Sequence, residues 1–243
     1  MGRSERERRQ AAQARLQAAG ITPPRRSGAR RGLAIAGIVL AAALAVGAYL
    51  AWQNYSAPVE PAYAVARDGV VVTAGNPAAP VTVDVYEDYL CPACKQFERI
   101  YGDEITAALN DGKVKVNYHH IAILDDRSNP PGYSTRAGNA ALCAADAGIF
   151  PAFHARLYTD QPGEGAGRTV EELTAWGTEL GATGDFAGCV ARQENTRGIA
   201  DATAAAAADP AAAPGGRFGT PTVLVNRTKI DVNDSAWLSK AAG

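Results

Sequence analysis

Residues 81–109 read VTVDVYEDYLCPACKQFERIYGDEITAAL, and the rest of the chain is organised around them. Val81, Val83 and Val85 alternate with polar neighbours, the pattern of a half-buried strand. Glu87 and Asp88 lead into Cys91-Pro92-Ala93-Cys94, after which Phe97, Ile100, Tyr101, Ile105, Ala108 and Leu109 recur at three and four. Strand therefore gives way to helix at the cysteine pair. Proline suits the first helical position, whose N–H would have no intrahelical partner. Cys91 then stands at the helix mouth, where unpaired N–H groups and the positive end of the macrodipole favour a negative sulfur and lower its pKa.

A bare CxxC also serves zinc ribbons and inert structural bridges. Zinc needs two more ligands, and the candidates are Cys143, Cys189, His119, His120 and His154. There is no second CxxC, and adjacent His119 and His120 on a strand point to opposite faces, so they cannot share one metal. We expect no metal and no cofactor. The strand–CxxC–helix setting favours redox chemistry over both alternatives.

Outward from this centre, Asn76 to Pro80 reads as the turn into the strand, and Gly69 to Thr73 as a first edge strand. Past Asp111-Gly112, Val114, Val116 and Tyr118 alternate as the next strand, which Ile121 to Leu124 extends or follows. From Tyr133 to about Ala208 the period is helical, with helices expected near 134–148, 150–159, 169–180, 185–194 and 196–208. Pro210 and Pro214-Gly215-Gly216 end that block. Strands return at Thr222 to Val225 and Lys229 to Val232, and a last helix starts from Asp234 as its cap.

The 243 residues, 47% of them hydrophobic, allow one full domain and an appendage. The net charge of -1 conceals an asymmetry: residues 1–56 carry nine Arg against Glu5 and Glu7, which is +7 and leaves -8 for the remainder. An acidic main domain makes nucleic acid an unsuitable partner. Residues 32–52, GLAIAGIVLAAALAVGAYLAW, are 21 positions without a charge, enough to cross a bilayer. Arg25, Arg26, Arg30 and Arg31 precede them closely, and the next basic residue beyond is Arg67. The positive-inside rule then keeps the N-terminus in the cytoplasm and puts everything after Trp52 outside. A signal peptide cleaved after Ala43-Leu44-Ala45 is the rival reading, and the apolar run is long for one. We therefore expect a basic cytoplasmic tail over 1–31, an uncleaved transmembrane anchor over 32–52, a linker over 53–66 and a catalytic domain over 67–243. All four cysteines follow the span, as two disulfides in an exported domain would require.

With EDYLCPAC followed by KQFE, and FGTPTVLVN far downstream, the chain resembles the DsbA-like branch of the thioredoxin superfamily, in particular the membrane-anchored Gram-positive type. The likeness covers roughly Arg67 to Gly243. It implies an α/β thioredoxin fold with a helical insertion at about 125–209. It also implies a protein-disulfide oxidoreductase in which Cys91 is the nucleophile, Cys94 its buried partner, and Thr220-Pro221 a cis-proline loop facing them. Pro92 and Ala93 tune the couple; Ala93 stands where the most oxidising relatives have His, so a milder oxidant is expected. Thioredoxin-like proteins often hold a buried carboxylate six residues before the first cysteine, and here that residue is Val85. Proton transfer at Cys94 then needs water, Glu87 or Asp88, unless those two carboxylates serve only as favourable charge near the helix N-terminus.

Cys143 and Cys189 sit among Ala, Leu, Gly and Val on expected helices, the setting of a structural disulfide rather than of free thiols or a second redox pair. Closing that loop should contribute about 4 kcal/mol. The three histidines are read as structural. The function expected is donation of the Cys91–Cys94 disulfide to exported cysteine-containing proteins by a membrane-anchored monomer, recharged by a membrane reoxidase of DsbB or VKOR type. A reductase or isomerase of the same fold and a noncatalytic thioredoxin-like binding module are the alternatives.

Overall fold

The computed structural model describes residues 3–20, 37–49, 59–163 and 165–243, which fall into two units, Met1–Ala57 and Pro58–Gly243. In the first unit α1 (Arg3–Ala18) and α2 (37–49) are helical. The apolar side chains of Ile38, Val39, Leu40, Leu44 and Val46 on α2 are exposed. The expected anchor runs past α2 at both ends into positions outside the described residues. No helix among the described residues is long and apolar enough to cross a membrane.

The second unit is built on a six-stranded sheet in the order β1 (Val65–Asp68), β2 (Val71–Gly75), β4 (Val114–His120), β3 (Val81–Glu87), β5 (Thr222–Val225), β6 (Thr228–Lys229). The pair β3–β4 is parallel, with Val85 opposite Tyr118 and Glu87 opposite His120; the other pairs are antiparallel. A parallel pair needs a crossover, and α3 (Pro92–Asn110) supplies it. Its buried Cys94, Phe97, Tyr101, Ile105, Ala108 and Leu109 form the stripe that the spacing predicts, and they pack on Val83, Val85, Val114 and Val116 in the main core. Tyr86 and Leu224 belong to a smaller cluster with Ile121, Ala206 and Ala212.

The insertion is α4 (Tyr133–Asp146), α5 (Phe150–Thr159), α6 (Val170–Glu179), α7 (Phe186–Arg192) and α8 (Thr196–Ala208). α4 is its axis, with eleven of its residues buried from Tyr133 to Ala144. α6 starts from a capping box in which Thr169 and Glu172 satisfy each other's backbone N–H groups. The disulfide Cys143–Cys189 ties α4 to α7.

Three expectations change and a fourth is decided. β1 begins at Val65, inside the stretch read as linker, and makes β2 an interior strand rather than the edge; VARD is too short and too polar on its exposed side to announce itself. Of the two readings for Ile121 to Leu124, the structure takes the second: they follow β4, which ends at His120, and lead to a 3-10 turn at Asp125–Arg127. β6 is shorter than Lys229 to Val232, because the turn at Asn226-Arg227, both with positive φ, sets a tight hairpin that pairs only Thr228 and Lys229. The last helix, α9 (Trp237–Ala242), starts after Asp234, whose carboxylate instead accepts from the Ala236 N–H and meets Lys240.

Candidate active site

β3 delivers Glu87 and Asp88 to the C-terminal end of the sheet, and the chain turns there into α3. Cys91 is the N-cap residue, with extended backbone, and Pro92 follows at the first helical position. Both Cys91 and Cys94 are free thiols, and both are buried. From the other side comes the loop before β5, in which Thr220–Pro221 is cis. The Cys91 thiol donates to the Thr220 carbonyl oxygen at 3.3 Å.

The two sulfurs have opposite electrostatics. Cys91 is lowered to about 5: the hydrogen bond from Cys94 is the largest cause, Thr220 and the N–H groups of Cys94 and Ala93 add to it, and together they outweigh burial. The Thr220 hydroxyl, the Thr220 group that lowers Cys91, is buried and has no other hydrogen-bond partner among the described residues. Cys94, one turn inside the helix, is raised well above its ordinary value by burial and by its neighbour's charge. The two sulfurs are thus shifted in opposite directions, the thiolate favoured at Cys91 and the thiol at Cys94. Pro92 and Ala93 between them are exposed and bring no charge.

Glu87 and Asp88 do not lie at the helix mouth as free charges. The Asp88 carboxylate is wholly buried and accepts from Leu90 N–H at 2.9 Å, Leu124 N–H at 3.0 Å and the Ser134 hydroxyl at 2.6 Å. It fastens the active-site turn to the start of α4, and burial pushes it up to about 6 despite those donors. Glu87 turns the other way, into α5. His154 Nε2 lies 2.9 and 3.1 Å from its two oxygens, and the Tyr158 hydroxyl donates to it at 3.1 Å.

Burial alone would raise Glu87 and lower His154; the pairing reverses both, holding Glu87 below its usual value and lifting His154 to about 9. His154 Nδ1 also lies 3.7 Å from Glu98 of α3. His154, read as structural from sequence, is therefore one member of a buried ion pair. His119 and His120 do point to opposite faces. His119 meets Asp84 at 3.1 Å and stacks on Tyr86, while His120 contacts the Tyr89 hydroxyl at 3.3 Å and is lowered to about 4 by burial.

Gln161, just past α5, donates to the carbonyl oxygens of both Tyr89 and Cys91 at 3.0 Å and so grips the turn that presents Cys91. Sequence reasoning passed over it; a Gln after a helix carries no local signal. Among the described residues no group of His, Cys, Asp and Glu is arranged to hold a metal ion. Cys143 and Cys189, bonded to each other, sit in the insertion apart from the CxxC pair.

Comparison with known proteins agrees with this geometry. A family model described as thioredoxin matches residues 68–241. Among solved structures, MdbA, a thiol-disulfide oxidoreductase of Corynebacterium matruchotii, is 26% identical, with 78% of this chain and 95% of that one covered at a TM-score of 0.66. DsbA of Mycobacterium tuberculosis in its reduced form is 32% identical, covering 69% and 85% at a TM-score of 0.56. DsbG of the same organism is 33% identical, covering 72% and 86% at 0.58. The chain is also 33% identical over 186 residues to the serine/threonine-protein kinase PknE of Mycobacterium tuberculosis; the match takes in 74% of this chain but only 32% of the kinase. A CxxC at a helix mouth opposite a Thr-Pro loop, on a sheet interrupted by a helical insertion, agrees with the family match: the chain belongs to the thioredoxin family, and its fold is that of the DsbA-like thiol:disulfide oxidoreductases.

Proposed function

We propose that the protein donates the Cys91–Cys94 disulfide to exported proteins outside the cytoplasm. The observation that carries this reading is the opposition of the two sulfurs, Cys91 held as thiolate and Cys94 held as thiol. Whatever stabilises the Cys91 thiolate stabilises the reduced protein, and a stable reduced form makes the disulfide oxidising. A substrate thiolate attacks Cys91, the S–S bond breaks, and Cys94 leaves with the electron pair and takes up a proton. The substrate's second thiolate then attacks its own sulfur in the mixed disulfide and Cys91 departs, a good leaving group because its pKa is low. The substrate leaves oxidised and the cysteine pair reduced, and a membrane reoxidase of DsbB or VKOR type restores the disulfide.

The Arg excess before residues 32–52 and the exposed apolar side chains of α2 support anchorage by that segment, with the catalytic domain on the far side. Equilibration with glutathione tests direction: a potential between roughly -120 and -270 mV, nearer the first, supports the oxidase, and one at the thioredoxin end with a more stable oxidised form supports the reductase. The stretch resembling part of a kinase favours a second reading, a binding module attached to other activities, against which the intact cysteine pair speaks.

A further inference from the structure

The mechanism above leaves a proton without a source. Cys94 is 2% exposed, and Val85, where a buried acid would serve, is a core side chain at 1%. Asp88 is occupied by three donors. One buried cluster remains unused. Cys94 and Glu98 are four apart on α3 and share a face, so Glu98 lies one turn along from the sulfur. His154 sits between Glu98 at 3.7 Å and Glu87 at 2.9 Å. The Tyr158 hydroxyl donates to Glu87 at 3.1 Å, and burial first, then the charges of Glu87 and Cys94, push it well up.

We propose that His154, clamped between Glu87 and Glu98, stores the proton of Cys94, releasing it as that sulfur leaves the disulfide and recovering it when the sulfur attacks again. His154 forms no direct bond to Cys94; the two are linked by way of Glu98, which lies 3.7 Å from His154 Nδ1 and one turn along α3 from Cys94. The inference rests on the reading of Cys91–Cys94 as an exchanging disulfide.

The atoms balance. As an attacking thiolate bonds to Cys91, the electron pair of the broken S–S bond stays on Cys94, which receives one proton; His154 goes from imidazolium to imidazole. In the return direction Cys94 gives its proton to imidazole and attacks the Cys91 sulfur of a mixed disulfide, whose other sulfur leaves as thiolate. The half-buried Glu98 gives the cluster an edge toward solvent through which His154 regains equilibrium. Burial, the largest cause of the raised Cys94 value, persists when Cys91 is in a mixed disulfide and favours the protonated sulfur. A buried imidazolium flanked by carboxylates also suits a site that must carry a proton at neutral pH. The titratable groups facing His154 are Glu87 from β3, Tyr118 and His120 from β4, Glu98 from α3, Tyr158 from α5 and Tyr89 from the active-site turn. His120 is neutral and the tyrosines are raised, so Glu87 and Glu98 set the charge of His154.

The test is stopped-flow reduction of the oxidised full-length protein by dithiothreitol from pH 6 to 10, with rates divided by the dithiothreitol thiolate fraction. Reduction of the wild type reads the exchange itself; only the shape of its pH profile reads His154. The corrected wild-type rate should be level and then fall through an inflection near pH 9. His154→Gln should lose that inflection and run at least about 10-fold slower at pH 7, as expected for loss of a general acid. Glu98→Gln, a change at a half-buried position, should keep the reaction but move the inflection to lower pH, because one of the two carboxylates that hold the imidazolium is gone. Folded His154→Gln protein with an unaltered inflection would overturn the proposal. An unmoved inflection in Glu98→Gln would overturn it as well, and that variant decides the matter should His154→Gln not fold.

Discussion

The Cys91 sulfur and the Thr220 carbonyl oxygen meet at 3.3 Å across 129 positions of sequence, and this contact closes the site over the helix mouth. Neither the first turn of α3 nor the Thr-Pro loop makes an active centre alone. Together they offer a sulfur, the N–H groups that stabilise its charge, and a backbone carbonyl that faces it.

The first prediction concerns the charge of that sulfur. Cys91 has a folded pKa depressed from 9.0 to about 5. Its stabilisation of the reduced protein is therefore complete above the unfolded value and is lost as pH falls through about 5. Ultraviolet thiolate absorbance should titrate near that pH. The reduced form should melt above the oxidised form at pH 7, and the gap should close on acidification. A midpoint near the free-thiol value would remove the basis for the oxidase reading.

The second separates the two cysteine pairs. Cys143 and Cys189 are 46 positions apart and bonded, with Cys143 1% exposed. Mild reductant should open Cys91–Cys94 first, and mass spectrometry should find the Cys143–Cys189 linkage intact. Replacing both Cys143 and Cys189 with Ala should cost about 4 kcal/mol through the unfolded chain's regained freedom, or roughly 8–16 °C in Tm for a domain of this size. Disulfide exchange at Cys91 should persist in the folded variant; its loss would show that the second bond does more than hold α4 to α7.

The third follows from the buried ion pair. His154 is raised to about 9 from 6.5, so its contribution to stability is whole below 6.5 and is lost as pH rises through 9. Glu87 is depressed, so its share is present above 4.5 and is lost as pH falls through the folded value. Thermal melts should decline from pH 6.5 to 9, and the decline should be missing in His154→Gln. Glu87→Gln should destabilise by about 3–5 kcal/mol at pH 7, the cost of leaving one buried charge unpaired. A melt profile level across that range in the wild type would contradict the pairing.

The fourth lies away from the chemistry. A Cβ on Gly177 would stand 2.0 Å from Cε1 of Phe186, the aromatic side chain that seats α7 against α6. Alanine is the better helix former by about 1 kcal/mol, but forcing the ring aside costs roughly 1–3 kcal/mol. Overpacking should win. Gly177→Ala should melt lower than the wild type by a few degrees, while the Cys91 titration stays where it was. An unchanged or higher Tm would show that Phe186 has room to move.

What the sequence determined by itself were the features written in local periodicity. The alternation of Val81, Val83 and Val85, the switch to three-and-four spacing at Cys91, and the limits of α5, α8 and β5 all follow from neighbours close in the chain. Adjacent His119 and His120 divide between the two faces for the same reason, since the strand repeat alone dictates it. Tertiary structure alone decided whatever depends on distant partners. β1 exists because Val65 and Arg67 find β2 to pair with. His154 looks like any helical histidine until β3 brings Glu87, 67 positions earlier, against it. Gln161 becomes a clamp only where α5 ends over the Cys91 carbonyl, 70 positions away. Glu87, the last residue of β3, and Asp88, the first of the turn that follows, part company, one bonded to α5 and the other to α4. Periodicity records which face of an element is buried; it cannot record which charge waits there, because that charge belongs to another part of the chain.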